Sequence, residues 1–150
     1  MVNVLDRSAG VQLIARWMAG RITNFEFDDE WPYKSNDRAV SDVGMELWLH
    51  YTDAQEVQLN AMELTVAERQ LLSRCLAFLK STEEYVPVSY DQAKRWKHGM
   101  LSWLLGIREP PWETRRLRIS SERRDWWPFA DRRQFEQVHK DVTGRIQPES

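Results

Sequence analysis

The stretch Thr65-Val66-Ala67-Glu68-Arg69-Gln70-Leu71-Leu72-Ser73-Arg74-Cys75-Leu76-Ala77-Phe78-Leu79-Lys80-Ser81-Thr82-Glu83-Glu84-Tyr85 decides how the rest of the chain is read. Thr65 followed by Glu68 has capping-box spacing: the hydroxyl accepts from a first-turn N–H while the carboxylate accepts from the N–H of Thr65. Leu71, Leu72, Cys75, Leu76 and Leu79 recur at helical spacing, and Phe78 widens the stripe. Glu68, Arg69, Gln70, Arg74 and Lys80 fill the other side. Most of these residues favour helix, and no Gly or Pro interrupts them. Pro87 disfavours helical backbone at Val86, so the pattern predicts a central core helix that stops before it.

Working outward, residues 5–19 read as a first helix with Leu13, Ile14, Trp17 and Met18 on its apolar face. Gly10 allows a start as late as Ser8, and Gly20 stands where a left-handed C-terminal cap is wanted. Thr23 and Glu26 repeat the capping-box spacing and predict a helix of one or two turns ended by Trp31-Pro32. Ser35-Asn36-Asp37 is a turn that offers N-caps. From Arg38 to about Tyr51 a helix should bury Val40, Val43, Leu47, Trp48 and Tyr51, with Gly44 marking a close helix approach. Residues 52–64 fit either a loop or a short helix.

Beyond the central helix, residues 85–89 should be extended, and Asp91 should cap a helix running to about Leu105. Pro110-Pro111 forces an extended segment. Residues 116–119 alternate like a strand. Trp126-Trp127-Pro128-Phe129 is an aromatic block. A last helix should begin near Ala130 or Asp131 and bury Phe135 and Val138, with Gly144 beyond its end and a loose tail from about 145. The sum is a mostly α fold: one domain over residues 1–150, an irregular helical bundle of about five main helices with extended Pro-rich connections.

Composition narrows the class. With 42% hydrophobic and 29% charged residues, the chain falls well outside the disordered range. One Cys excludes an intramolecular disulfide, and Cys75 lies on the apolar stripe, where a buried core thiol is expected. No apolar run approaches the length of a membrane span, and the N-terminus does not read as a secretory signal. A cytoplasmic setting fits. The net charge of −2 conceals an uneven distribution: residues 1–70 carry 6 Lys/Arg against 12 Asp/Glu, and residues 71–150 carry 15 against 11. Such a surface is two-toned, with halves that attract each other.

Three local words recur in a familiar order: Gly20-Arg21-Ile22-Thr23-Asn24 leading to Glu26-Phe27, Arg74-Cys75-Leu76-Ala77-Phe78-Leu79-Lys80-Ser81 leading to Glu84-Tyr85, and Trp127-Pro128-Phe129. In this order they resemble a group of small bacterial proteins, in patches across residues 15–138, and depart from it at Val86, where that group has Trp. The resemblance implies a compact cytoplasmic bacterial protein and carries over no catalytic residue.

The chain lacks the usual signatures of chemistry. His50, His98 and His139 are far apart, and none has a second His or Cys at ligand spacing, so no metal and no cofactor is expected. A nucleophile elbow and a phosphate loop are both missing from the sequence. The carboxylate pairs Asp28-Asp29-Glu30 and Glu83-Glu84 read as solvated faces, since neighbours on a helix diverge by about 100°. The richer region is C-terminal, where arginines interleave with tryptophans. Trp112, Arg115, Arg116, Arg123, Arg124, Trp126 and Trp127 are the candidate binding residues, because Trp and Arg dominate interface hot spots. The reading is a non-enzymatic macromolecular-interaction protein whose partner is another protein, an immunity or antitoxin-like role being one concrete version. The alternative binder takes nucleic acid on the Arg/Trp-rich half. The alternative enzyme is a hydrolase or transferase whose acid and base come from Glu84, Asp28 or His50 assembled across helices. No membrane partner is expected, and the sequence leaves the oligomeric state open.

Overall fold

The structure is a computed structural model that describes residues 1–87 and 125–144; the helix expected from Asp91 and the alternation at 116–119 lie outside the described residues. Among the described residues the fold is mostly α. Five helices, α1 (Val4–Met18), α2 (Asn24–Glu30), α3 (Arg38–Trp48), α4 (Val66–Lys80) and α5 (Arg132–Gly144), accompany strands β1 (Ile22–Thr23) and β2 (Gln58–Leu59) and a 3-10 turn (Ala61–Glu63). None of these helices is long and apolar enough to cross a membrane.

The helix ends follow local chemistry. Asn3 caps α1 by accepting from the N–H of Asp6. At the other end Gly20, with φ +66°, turns the chain while Gly20 N–H reaches Trp17 O and Arg21 N–H reaches Arg16 O, a Schellman pair. Thr23–Glu26 and Thr65–Glu68 both close full capping boxes, as their spacing predicts. Asp37 caps α3. That helix ends at Trp48 rather than Tyr51, because the N–H groups of Leu49 and His50 turn back to Glu46 O and Leu47 O in a tightened last turn. α5 begins at Arg132 and includes Gly144, although a glycine there favours a position beyond a helix end.

The two-stranded ladder has no signature in the sequence. Ile22 pairs with Leu59 and Thr23 with Gln58, antiparallel. Asn24, just after β1, holds the loop that leads into β2. Its Nδ2 donates to Thr52 O and Gln55 O, and its Oδ1 accepts from the N–H of Val57. Buried and fully engaged, it fixes the stretch between Trp48 and Gln58 without a helix.

α1 packs most extensively on α4, and α3 closes on both. Leu13, Ile14 and Trp17, Val40, Val43 and Leu47, and Leu72, Cys75 and Leu79 form the main core with Phe27, Trp31 and Trp127. Leu71 and Leu76 flank it, half-buried. Each fully buried large apolar side chain contributes roughly 1.5–3 kcal/mol. A second cluster gathers Ala39, Phe78, Phe129 and Val138, with Tyr85 and Phe135 packed on its edge. Between α1, α3 and α4 sits a charged pair: Arg7 Nε donates to Asp37 Oδ2 at 2.6 Å, both side chains almost wholly buried.

Gly44 does mark a close approach, but of an indole and not of a helix. Trp31 packs against it, donating Nε1–H to Val40 O at 3.1 Å, and a Cβ at Gly44 would overlap the ring. Gly44→Ala should therefore destabilise by about 1–3 kcal/mol, although the same exchange ordinarily favours a helix interior. Leu72→Ala should cost about 2–5 kcal/mol, and Val66→Ala, on the exposed side of α4, less than about 0.5 kcal/mol. Urea midpoints check all three. A Gly44→Ala chain as stable as the parent would show that Trp31 does not occupy that space.

Candidate functional site

α4 has two working faces. One is the core stripe; the other carries Val66, Arg69, Gln70, Ser73, Arg74 and Ala77 and forms one wall of an open groove of about 650 Å³. The opposite wall is Asp125 and Trp126 from the turn before α5, then Phe135 and His139 from α5 itself. Phe135 and His139, one turn apart, stack nearly parallel with ring centroids 5.6 Å apart and planes at 12°. Trp126 leans on Phe135 at 5.6 Å, and the Arg132 guanidinium lies 5.4 Å over the Trp126 ring. Trp126 and Phe135 are both half-buried.

Backbone carbonyls hold the basic groups of this groove. Arg69 Nη1 donates to Leu64 O at 2.6 Å and, more weakly, to Ala61 O at 3.4 Å. Arg74 Nε donates to Trp127 O at 3.1 Å, tying α4 to the aromatic turn. Burial pushes the Arg74 guanidinium below its usual value, while nearby Asp125 works the other way. Arg132 is paired with Glu136 at 2.7 Å.

Of the residues singled out from sequence, Trp126 lines this groove. Trp127 corrects its expectation: it is fully buried in the main core, with Nε1–H donating to the Tyr85 hydroxyl at 3.2 Å, and offers a partner no surface. The two adjacent rings point to opposite sides of the turn. Trp112, Arg115, Arg116, Arg123 and Arg124 lie outside the described residues. Nothing in the sequence joins Arg69, Arg74, Phe135 and His139 as one site, although the 66/69/70/73/74/77 spacing on α4 carries half of the signal.

The groups considered for acid–base chemistry are held by separate partners. Asp28 accepts from the Tyr33 hydroxyl at 2.8 Å. Glu84 is exposed and faces the N-terminal ammonium at 3.7 Å. His50 lies between helices, its Nε2 3.8 Å from Glu46 Oε1 on α3 and its Nδ1 3.1 Å from Glu68 Oε1 on α4. Cys75 is a buried core thiol, as expected, and burial pushes its pKa far up, away from nucleophilic use. Among the described residues no three His, Cys, Asp or Glu side chains are grouped to hold a metal ion. Compared with family models, curated proteins and solved structures, the chain finds no match.

The His50 bridge has a definite pH signature. Glu46 and Glu68 raise the imidazole pKa against the burial that would lower it. Thr65, through its hydroxyl and N–H, and then His50 bring Glu68 down to about 2. A raised folded-state pKa stabilises fully below the unfolded value near 6.5 and loses that contribution as pH rises through the folded value. The parent chain should thus lose stability as pH rises from about 6 through the raised His50 value, and His50→Gln should flatten that limb. Glu68 gives the opposite limb: its contribution holds above its ordinary carboxylate pKa and fades as pH falls toward about 2. Urea midpoints across this range check both; parallel alkaline limbs in parent and His50→Gln would remove His50 as their source.

Proposed function

We propose that this protein is a non-enzymatic binding module that takes a segment of another protein in the groove between α4 and α5, in a bacterial cytoplasm. The observation that carries the reading is the groove wall itself. It presents the half-buried rings of Trp126 and Phe135 beside two guanidiniums anchored on backbone carbonyls. Aromatic rings and arginines contribute most where they are pre-ordered and surrounded by packed neighbours, because little side-chain entropy remains to be lost on binding. The space is large enough for several side chains, and its polar rim can satisfy an incoming backbone.

Nucleic acid is favoured less by the same residues. Arg132 is already paired with Glu136 and stacked on Trp126, so it is not available to neutralise a phosphate backbone.

A photo-crosslinking residue placed at Gln70, inside the groove, should yield polypeptide adducts in cells, and one at the exposed Gln12 on α1 should not. Ser73→Trp, which fills the groove from an exposed position, should abolish the Gln70 adducts while moving the urea midpoint by less than the equivalent of about 0.5 kcal/mol. Equal adducts from both positions, adducts sensitive to nuclease, or adducts that survive Ser73→Trp would overturn the proposal.

A further inference from the structure

The partner can be given a shape and a charge. Resting on the protein-binding reading above, we infer that the groove accepts an acidic amphipathic helix of about three turns from another protein.

Length and shape come from the walls. The α4 side runs from Val66 to Ala77 at alternating steps of three and one, so one helical face is presented over about 16 Å at 1.5 Å per residue. The α5 side answers with Phe135 and His139 at a four-residue step. Two helix faces with a valley between them are the natural seat of a third helix, whose ridges settle between theirs at interaxial distances of about 8–10 Å. Ser73 and Ala77 keep the α4 wall low, which lets a backbone come close. Val66, 63% exposed at one end, and the rings of Trp126 and Phe135 further along give apolar anchor points for residues spaced by one turn.

Charge comes from Arg69. Asp125 stands near Arg74, but Arg69 enters none of the ion pairs among the described residues, and the acceptors of its Nη1 are neutral carbonyls. A guanidinium already locked in place beside an apolar strip, with no carboxylate paired to it among the described residues, is complementary to a partner that brings one. Among the described residues, the acidic helix α2 does not fit the role. α2 has 7 residues, about two turns, and its exposed Phe25 is a single anchor. A second copy offering α2 is therefore the poorer occupant.

Synthetic peptides test the assignment with the full chain. One is a 16-residue helix-forming peptide with Leu and Trp spaced by one turn and Glu on the flanks; its twin replaces every Glu by Lys. In fluorescence anisotropy at about 0.15 M salt, where exposed charges separated by less than about 8 Å still interact, the Glu peptide should bind about tenfold or more tighter than the Lys twin. That preference should narrow at high salt, disappear in Arg69→Gln and reverse in Arg69→Glu. The Glu peptide should also suppress the Gln70 cross-link and fail to bind Ser73→Trp. Equal or stronger binding of the Lys twin overturns the inference, as does a concentration-dependent dimer that Ser73→Trp dissolves. If neither peptide binds while Gln70 still cross-links to polypeptide, the acidic-helix assignment fails and the protein-binding reading survives. If the cross-link is also absent, both fail.

Discussion

One buried guanidinium holds the ends of three helices together. Arg7, on the first turns of α1, donates from Nε to Asp37 Oδ2 at 2.6 Å and from Nη1 to Ser81 O at 2.9 Å. Asp37 in turn accepts from the N–H of Asn3 and of Ala39, each at 3.0 Å, so the same carboxylate caps α3 and receives the N-cap residue of α1. The guanidinium carbon lies over Phe78, 5.1 Å from the ring centre. Burial alone would raise the Asp37 carboxyl; the hydrogen bonds from Arg7, Asn3 and Ala39 and the Arg7 charge outweigh it and hold the group below its usual range. A buried pair of this kind adds little over two well-packed apolar residues, but leaving either charge alone is strongly destabilising, by about 3–5 kcal/mol. It therefore specifies where α1, α3 and α4 meet more than it raises the overall stability.

From Phe78 the same constraint reaches the groove. That ring meets Tyr85 and Phe129 edge-on, Phe129 meets Phe135 edge-on, and Phe135 carries the stack that forms the groove wall. Arg74, one turn earlier on α4, fixes the aromatic turn from the other side through Trp127 O. α4 thus serves both roles at once. Its Leu72, Cys75 and Leu79 face is interior, and its Arg69, Ser73 and Ala77 face is open, with the aromatic block wedged between them. The binding reading depends on this division, because a groove wall that shifted with the core could not keep its guanidiniums pre-set.

Much of this was legible in the residues. Both capping boxes, the Gly20 cap, the Asp37 cap and the α4 stripe depend on contacts within a few positions, and short-range chemistry can be read along a chain. What escaped was long-range or lacked a period. Arg7 reads as a surface residue until Asp37, thirty positions away, is brought beside it. Two-residue strands are too short to alternate, so β1 and β2 left no pattern, and the side-chain bonds of Asn24 to residues 52–57 could not be inferred from an Asn at a helix start. Trp126 and Trp127 look equivalent on paper; only the fold places one in the groove and the other in the core. The groove itself combines an exposed helical face, visible in the α4 spacing, with a partner face on α5 that sequence distance concealed.

The most direct test of this account is a double-mutant cycle on Arg7→Met and Asp37→Leu, read from the free energy of unfolding at neutral pH. Each single change should cost about 3–5 kcal/mol, since it strands a buried charge. The double variant, with no charge left to strand, should lose well under the sum, leaving a coupling of about 2 kcal/mol or more. Additive losses, to within about 0.5 kcal/mol, would mean that Arg7 and Asp37 do not hold each other in the interior, and that the three helix ends are joined by something else.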